Sequence, residues 1–448
     1  MTNQETERDI AQNVIHSRFH PSSSFYRFTV LAFAASLTLG CYFAYDIIGA
    51  IADSIMTSIG ATESQVGSMY TMYSVAAIVA VFVSGFLIDR LGTRKGSMIF
   101  STLVLAGAIL TTFGSYFRSL PLLYVSRFIF GAGSEPLVVV QSAMLARWFK
   151  GKELALSFGI ALTVSRIGTL FAFNTGEVIS KHFGSPTYAL VAAAMVCFLS
   201  LLANVAYIFL DRRGERLLNL KDGSAGDKIV LSDIKYFKPT FWYVTMLCVT
   251  FYSAIFPFTS LSLKFFNEKW HIPEVSAGQG TFLYKVFSNF IHMFSTAGGI
   301  TSIIIFASMV LAPFAGKLVD KVGKRATFMI YGSLLMIPSH LVMGITHMYP
   351  VLPMIVLGAA FVLVPAAMWP SVPLVVSKER VGTAFGIMTA IQNIGLALFP
   401  YLNGKLREVT GSYTASQVMF SSLGLVGLFF AFMLLKASKR ENDVLENP

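Results

Sequence analysis

Charge is scarce in this chain: Asp, Glu, Lys and Arg make up 13% of its 448 residues, against roughly 25% in soluble domains. A water-soluble fold of this length needs more ionised surface than that, so the soluble class is excluded. Cysteine is scarcer still. The three present, Cys41, Cys197 and Cys248, all fall inside apolar runs, which leaves neither a disulfide framework nor metal-ligand spacing. The motifs H-E-x-x-H, G-x-S-x-G and the P-loop are missing, so no enzymatic activity, cofactor or metal is expected. The first 25 residues are polar and lack the short apolar core of a removable signal peptide.

What fills the chain instead is hydrocarbon. Hydrophobic residues reach 55% and mean hydropathy is +0.66. Apolar runs long enough to cross a hydrocarbon core of ~30 Å, which takes about 20 helical residues, recur from Phe28–Ile51 to Ala415–Leu435. Twelve such runs predict an all-α membrane protein.

A formal net charge of +11 would suit nucleic acid only if the basic residues were gathered on one face. They are distributed by topology instead. With the amino terminus inside, Arg90, Arg94, Lys95, Arg147, Arg212, Arg213, Lys317, Lys321, Lys324, Arg325, Lys378, Arg380 and Lys436 all fall on inner segments, as the positive-inside rule requires. Both termini are therefore expected in the cytoplasm.

Residues 211–238 form the one long polar stretch between spans and read as a cytoplasmic linker. The expected organisation is a tail over 1–26, a six-helix bundle over 27–210, the linker, a second six-helix bundle over 239–437 and a closing tail over 438–448. The two bundles echo each other. GFLIDRLGTRK at Gly85–Lys95 returns 231 residues later as GKLVDKVGKRA at Gly316–Ala326, and FGIALTVSRIG at Phe158–Gly168 returns after 227 residues as FGIMTAIQNIG at Phe385–Gly395. Two independent echoes at nearly one offset argue for duplication and for pseudo-symmetric halves.

In the first echo, Asp89, Arg90 and Arg94, with Asp320, Lys321 and Arg325 in the second copy, can form charge-assisted bonds near helix ends that break when the halves move. The alternative is a solvated turn. This twice-occurring GxLxDRxGxR pattern resembles the signature loop of the major facilitator superfamily, a resemblance that implies two rocking bundles around a central path.

Charges inside spans cost at least about 2.5–3.5 kcal/mol each, so every survivor needs a partner or a task. Asp46 lies in the first span, Glu135 in the fourth, and Arg166 and Glu177 in the fifth, the last near a solvated end. Arg166 is the sharpest case, because its repeat counterpart is Asn393: one helical slot holds a fixed cation in one half and a neutral amide in the other. A guanidinium suits bidentate capture of a carboxylate, which makes Arg166 the leading ligand for an anionic substrate group. An internal ion pair with Glu135 is the competing reading. Asp46 and Glu135 are candidates for a substrate ammonium or for a proton, with helix packing an equal alternative for Asp46. Gln141, Asn174, Gln392 and Asn393 offer neutral donors and acceptors, and Tyr42, Tyr73 and Trp369 offer amphipathic walls. Three prolines in PAAMWPSVP at Pro365–Pro373 suggest a kinked or gating tenth span. An irregular outer stretch at Asn267–Asn289 predicts a short interfacial element.

At ARWFKGKELALSFGIALTVSRIGT, GAGSEPLVVVQ, YFAYDI and GTAFGIMTAIQNIGLA the chain is similar to the lysosomal dipeptide transporters known as major facilitator superfamily domain-containing protein 1. That resemblance implies a dipeptide as substrate, with Arg166 on the peptide carboxylate and Glu135 helping to bind the amino end. It also implies alternating access by facilitated diffusion without obligatory proton coupling. Transport of another small carboxylate-bearing solute with protons, or sensing without flux, are the alternatives. No Asn-x-Ser/Thr acceptor or acidic dileucine signal occurs. The expected location is therefore a bacterial inner membrane, with the lysosomal membrane as the alternative. The expected partners are a dipeptide and the lipid bilayer; a monomer is expected, and any accessory subunit is left open.

Overall fold

A computed structural model describes residues 20–149, 153–218, 231–276 and 280–447. Among these residues twelve helices are long and apolar enough to cross a membrane, as expected. They run from the first span, Ser24–Ala50, through the second and third, Glu63–Ser84 and Arg90–Tyr116, the fourth, Leu120–Phe149, the fifth, Leu156–Phe183, and the sixth, Pro186–Leu217. The second half holds the seventh, Pro239–Thr259, the eighth, Ala297–Val322, the ninth, Arg325–Ile345, the tenth, Val351–Val375, the eleventh, Val381–Thr410, and the twelfth, Thr414–Arg440. Only a helix satisfies every backbone donor and acceptor within a single segment, and that is what hydrocarbon demands. An even number of crossings puts both described ends of the chain on one face, called here the termini face.

Local rules place the boundaries. Thr62 accepts from the Gln65 amide nitrogen while the Gln65 side chain accepts from the Thr62 amide, so a capping box opens the second span. Gly92 (φ 74°) turns the chain between the second and third spans, and Gly323 (φ 68°) does so between the eighth and ninth. Both glycines stand at equivalent positions of the first echo, and both adopt a left-handed φ that a side chain would strain. The duplication seen in the residues is thus a duplication of backbone geometry.

Two segments differ from expectation. The helix of the sixth span continues to Leu218, which makes the first residues of the expected linker helical, while 219–230 lie outside the described residues. The outer stretch after the seventh span contains two helices, Ser262–Trp270 and Phe282–Ile291, so the eighth span begins at Ala297 rather than at Ile291. The tenth span stays helical through Pro365, Pro370 and Pro373.

The halves meet closely on the face opposite the termini. A Cβ at Gly67 on the second span would collide with the Pro400 carbonyl on the eleventh, and Thr71 Oγ1 donates to Ala397 O at 2.5 Å beside it. Glu408 accepts from the Ser64 amide at 2.8 Å, and Lys264 of the second half bonds Glu63 of the first at 2.8 Å. Across the other seam Asn174 donates to Ser302 Oγ at 2.7 Å, and Lys181 bonds Glu274 at 2.5 Å. On the termini face, among the described residues, ion pairs stay within one half or reach the linker: Arg27 with Glu153 and Arg94 with Asp211 in the first, Arg325 with Asp320 in the second, and Arg380 with Asp233 and Lys238 with Glu441 at the linker's end. The structure is closed on the face opposite the termini.

Gly67→Leu is expected to wedge that closed face apart. Spin labels on Thr57→Cys and Ser412→Cys, one on each half, should report a longer distance in the Gly67→Leu background; an unchanged distance would mean that this contact does not hold the seal. The native cysteines are all buried and leave the added sites to take the label.

Candidate functional site

The fourth and fifth spans carry Glu135 and Arg166 near the middle of their 30-residue helices. Both side chains are half-buried. Glu135 accepts from the Tyr73 hydroxyl of the second span at 2.9 Å. The Arg166 guanidinium sits over three rings: Tyr42 of the first span at 5.5 Å, and Phe256 and Phe361 of the seventh and tenth at 5.9 and 5.1 Å. It therefore bridges the two halves. The ion pair with Glu135 is not formed, and Arg166 Nε and NH1 are buried without a hydrogen-bond partner. Cation–π contacts return ~0.5–2 kcal/mol each, less than the several kcal/mol that desolvating an ion costs. Two of the guanidinium nitrogens thus lack a hydrogen-bond partner in the protein.

Facing Arg166, the second half contributes rings. Trp369 donates from Nε1 to the Tyr252 hydroxyl at 2.9 Å, and Trp369 packs against Phe385 with centroids 5.9 Å apart. Trp369, Tyr42 and Gln392 are half-buried. The other expected polar residues are engaged in packing. Gln141 donates to Ala34 O at 2.8 Å and to Thr38 Oγ1 at 3.0 Å, tying the fourth span to the first. Asn174 is fully buried in the seam with Ser302, and Asn393 donates to Thr389 O of its own helix at 3.0 Å. Asp46 is buried within electrostatic reach of Arg166 and Arg127.

Arg127 escaped the reading of the residues. It is 1% exposed on the fourth span, donates from NH1 to Ala44 O at 3.0 Å, and lies 4.8–5.8 Å from the ring centroids of Tyr45, Tyr70, Tyr73 and Phe130. The signal for it was present, since it is a cation within the same apolar run as Glu135. Tyr73 thus touches both charges, packing on Arg127 and donating to Glu135.

On the termini face Arg94 donates from Nε to Asp211 at 2.6 Å and from NH2 to Glu215. Asp211 is fully buried and also accepts from Arg147 NH1 at 3.1 Å and Trp148 Nε1 at 2.7 Å. The signature loop is thus clamped to the end of the sixth span. Its counterpart is looser: Arg325 NH2 lies 3.8 Å from Asp320, NH1 donates to Asn447 O at 3.2 Å, and Lys321 is exposed. Arg90 is exposed, and the Asp89 side chain lies outside the described residues.

Twelve spans in two bundles, two equivalent glycine turns and charges buried between the bundles belong together in one class. The Major Facilitator Superfamily profile matches residues 34–294 and 280–447, and the chain belongs to that superfamily of membrane transporters. Solved transporters share the fold: the nucleoside transporter NupG, 16% identical, covers 91% of this chain and 99% of its own with a TM-score of 0.67. The xylose transporter XylE from E. coli, described as partially occluded and inward open, is 14% identical, covers 92% and 98%, and has a TM-score of 0.69. Within the superfamily the relatives are more specific. The lysosomal dipeptide transporter MFSD1 of Danio rerio is 33% identical over 441 residues, covering 96% of this chain and 91% of that protein. The same-named protein of Homo sapiens is 33% identical over 430 residues, covering 93% and 88%.

Removing the buried Asp211 carboxylate leaves Arg94 and Arg147 only the part-exposed Glu215 as counter-charge, and breaking a buried pair costs about 3–5 kcal/mol. Asp211→Ala is therefore expected to lower the melting temperature in detergent well below that of Glu215→Ala, whose carboxylate is one-third exposed and contributes little. Equal effects of the two changes would contradict the clamp.

Proposed function

We propose that this chain carries dipeptides across its membrane by alternating access, as a uniporter, with both termini in the cytoplasm. The observation that carries this reading is the pair Arg166 and Glu135: opposite charges at mid-helix depth, both half-buried and not joined to each other. A dipeptide zwitterion carries one carboxylate and one ammonium. Arg166 takes the carboxylate through a two-pronged bond. Glu135, held by Tyr73, takes the ammonium. The aromatic wall of Phe256, Phe361, Trp369 and Tyr252 then faces the substrate's side chains, where apolar contact without hydrogen-bond demands tolerates varied sequences. The naming of the 33%-identical relatives as dipeptide transporters supports the same substrate class.

With the termini inside, the closed face is the outer one, and on this reading the closed-outside arrangement corresponds to an inward-facing state. Outward opening requires the Lys264–Glu63 and Lys181–Glu274 pairs to part. The lysosomal relatives favour an acidic-organelle membrane as the location, the outer face then being luminal.

The reading is tested on purified protein by dipeptide-induced thermal stabilisation and by uptake into liposomes. Hydrogen bonds to a charged group contribute about 1.5–3 kcal/mol, so Arg166→Ala and Glu135→Gln should each weaken dipeptide binding roughly ten- to a hundredfold. Arg166→Lys should recover only part, because an ammonium cannot form the two-pronged bond. An imposed pH gradient should leave the uptake rate unchanged. Dipeptide binding that survives both substitutions would sink the site, and accumulation against a gradient driven by protons would replace uniport with symport.

A further inference from the structure

The helix Phe282–Ile291, between the seventh and eighth spans, is built inside out. Its outward residues are Leu283, Tyr284, Phe287 and Ile291, exposed by 76%, 53%, 66% and 61%. Two of its polar residues point into the protein, while Lys285 is half-buried and His292 at its end is exposed: Ser288 and Asn289 are buried, Ser288 Oγ lies 2.9 Å from Ser276 Oγ, and Asn289 donates to Asn174 O of the fifth span at 3.0 Å while accepting from the Ser276 amide at 2.7 Å. A helix washed by water places these faces the other way round. An apolar outward face of this kind marks an apolar surrounding or a partner.

Ring contacts along the fifth span set its depth. Phe282 packs on His182 and Phe183 with centroids 5.3 and 5.8 Å apart, and Phe290 packs on Phe171 at 5.1 Å. The short helix therefore runs antiparallel to the fifth span, from its outer end inward. Phe171 lies twelve residues before Phe183, about 18 Å along the axis. The 28-residue fifth span is about 42 Å long, and the hydrocarbon core takes about 30 Å of it. Even if all of the surplus, about 12 Å, projects on the closed face, Phe171 and Phe290 lie inside hydrocarbon. The outward residues are also continuous with the exposed apolar belt of the fifth and sixth spans at Phe171, Phe183, Tyr188 and Met195.

We propose that residues 282–294 form a re-entrant segment whose outward face is covered by the acyl chains of the leaflet on the closed face. The segment is tethered to the second half but packs on the first, through Asn174 and Phe171, beside the Asn174–Ser302 contact between the fifth and eighth spans. It seals that seam against lipid while the two halves move. Its backbone tolerates the depth because the helix satisfies its own amides, and at its C-terminal end the Ser288 carbonyl accepts from the His292 amide at 2.9 Å.

The test places a nitroxide on Ile291→Cys and, separately, on Phe287→Cys in the full chain, reconstituted in phosphatidylcholine nanodiscs without substrate. Ser412→Cys on an exposed loop is the aqueous reference, and Phe429→Cys, outward on the twelfth span, is the lipid reference. Collision with oxygen should match Phe429→Cys at both test sites, and collision with a water-soluble nickel chelate should fall several-fold below Ser412→Cys. A chelate response like that of Ser412→Cys would overturn the proposal in favour of a solvent-facing helix. A label shielded from both reagents would overturn it in favour of a second copy seated on this face. None of these outcomes depends on which solute is carried.

Discussion

Hydrocarbon cannot solvate an ion, and that constraint shapes this molecule more than any single contact. Each charge kept inside a span needs compensation from the protein or from a solute. Arg127 finds it in a carbonyl and four rings, and is sealed from any ligand. Asp211 finds it in Arg94, Arg147 and Trp148. Arg166, like Arg127, has rings around it and two nitrogens unmet, but it is half-buried rather than sealed, and Glu135 accepts from the Tyr73 hydroxyl. What separates Arg166 from Arg127 is exposure, half-buried against 1%.

The duplicated scaffold and the single site are two aspects of the same economy. Repeating the backbone yields two bundles with matching glycine turns at Gly92 and Gly323. Repeating the chemistry as well would place a second guanidinium opposite the first, at the desolvation cost of another ion and with mutual repulsion. Asn393 in that slot avoids both. The first half carries the guanidinium and the carboxylate, and the second half presents rings. The clamps on the termini face follow the same asymmetry, tight on Arg94 and loose on Arg325.

Closure opposite the termini rests on backbone approach as much as on charge. Where the second and eleventh spans touch, Gly67 leaves no room for a side chain, and polar pairs such as Lys264–Glu63 flank the contact. Contacts of this kind are bistable: they are fully made or fully broken, which suits two discrete states of a transporter. The segment at 282–294 extends the closure sideways, into the lipid.

The residues alone determined the class, the twelve crossings and the duplication, because hydrophobic length and repeated motifs are written along the chain and need no third dimension. They also marked Arg166 and Glu135, since a charge within an apolar run is visible without coordinates; Arg127 was equally visible and simply passed over. What each polar residue does was decided by tertiary structure alone. Gln141 and Asn174 look as available as Gln392 in one dimension, yet helix crossing turns the first two into neighbouring spans and leaves the third half-exposed. Asp211 reads as the start of a linker until the sixth helix carries it under Arg94 and Arg147. The sequence states which charges must be accounted for, but only the packing of helices distant in sequence decides which neighbour answers each one, because that answer depends on distances of a few ångströms that no spacing along a chain contains.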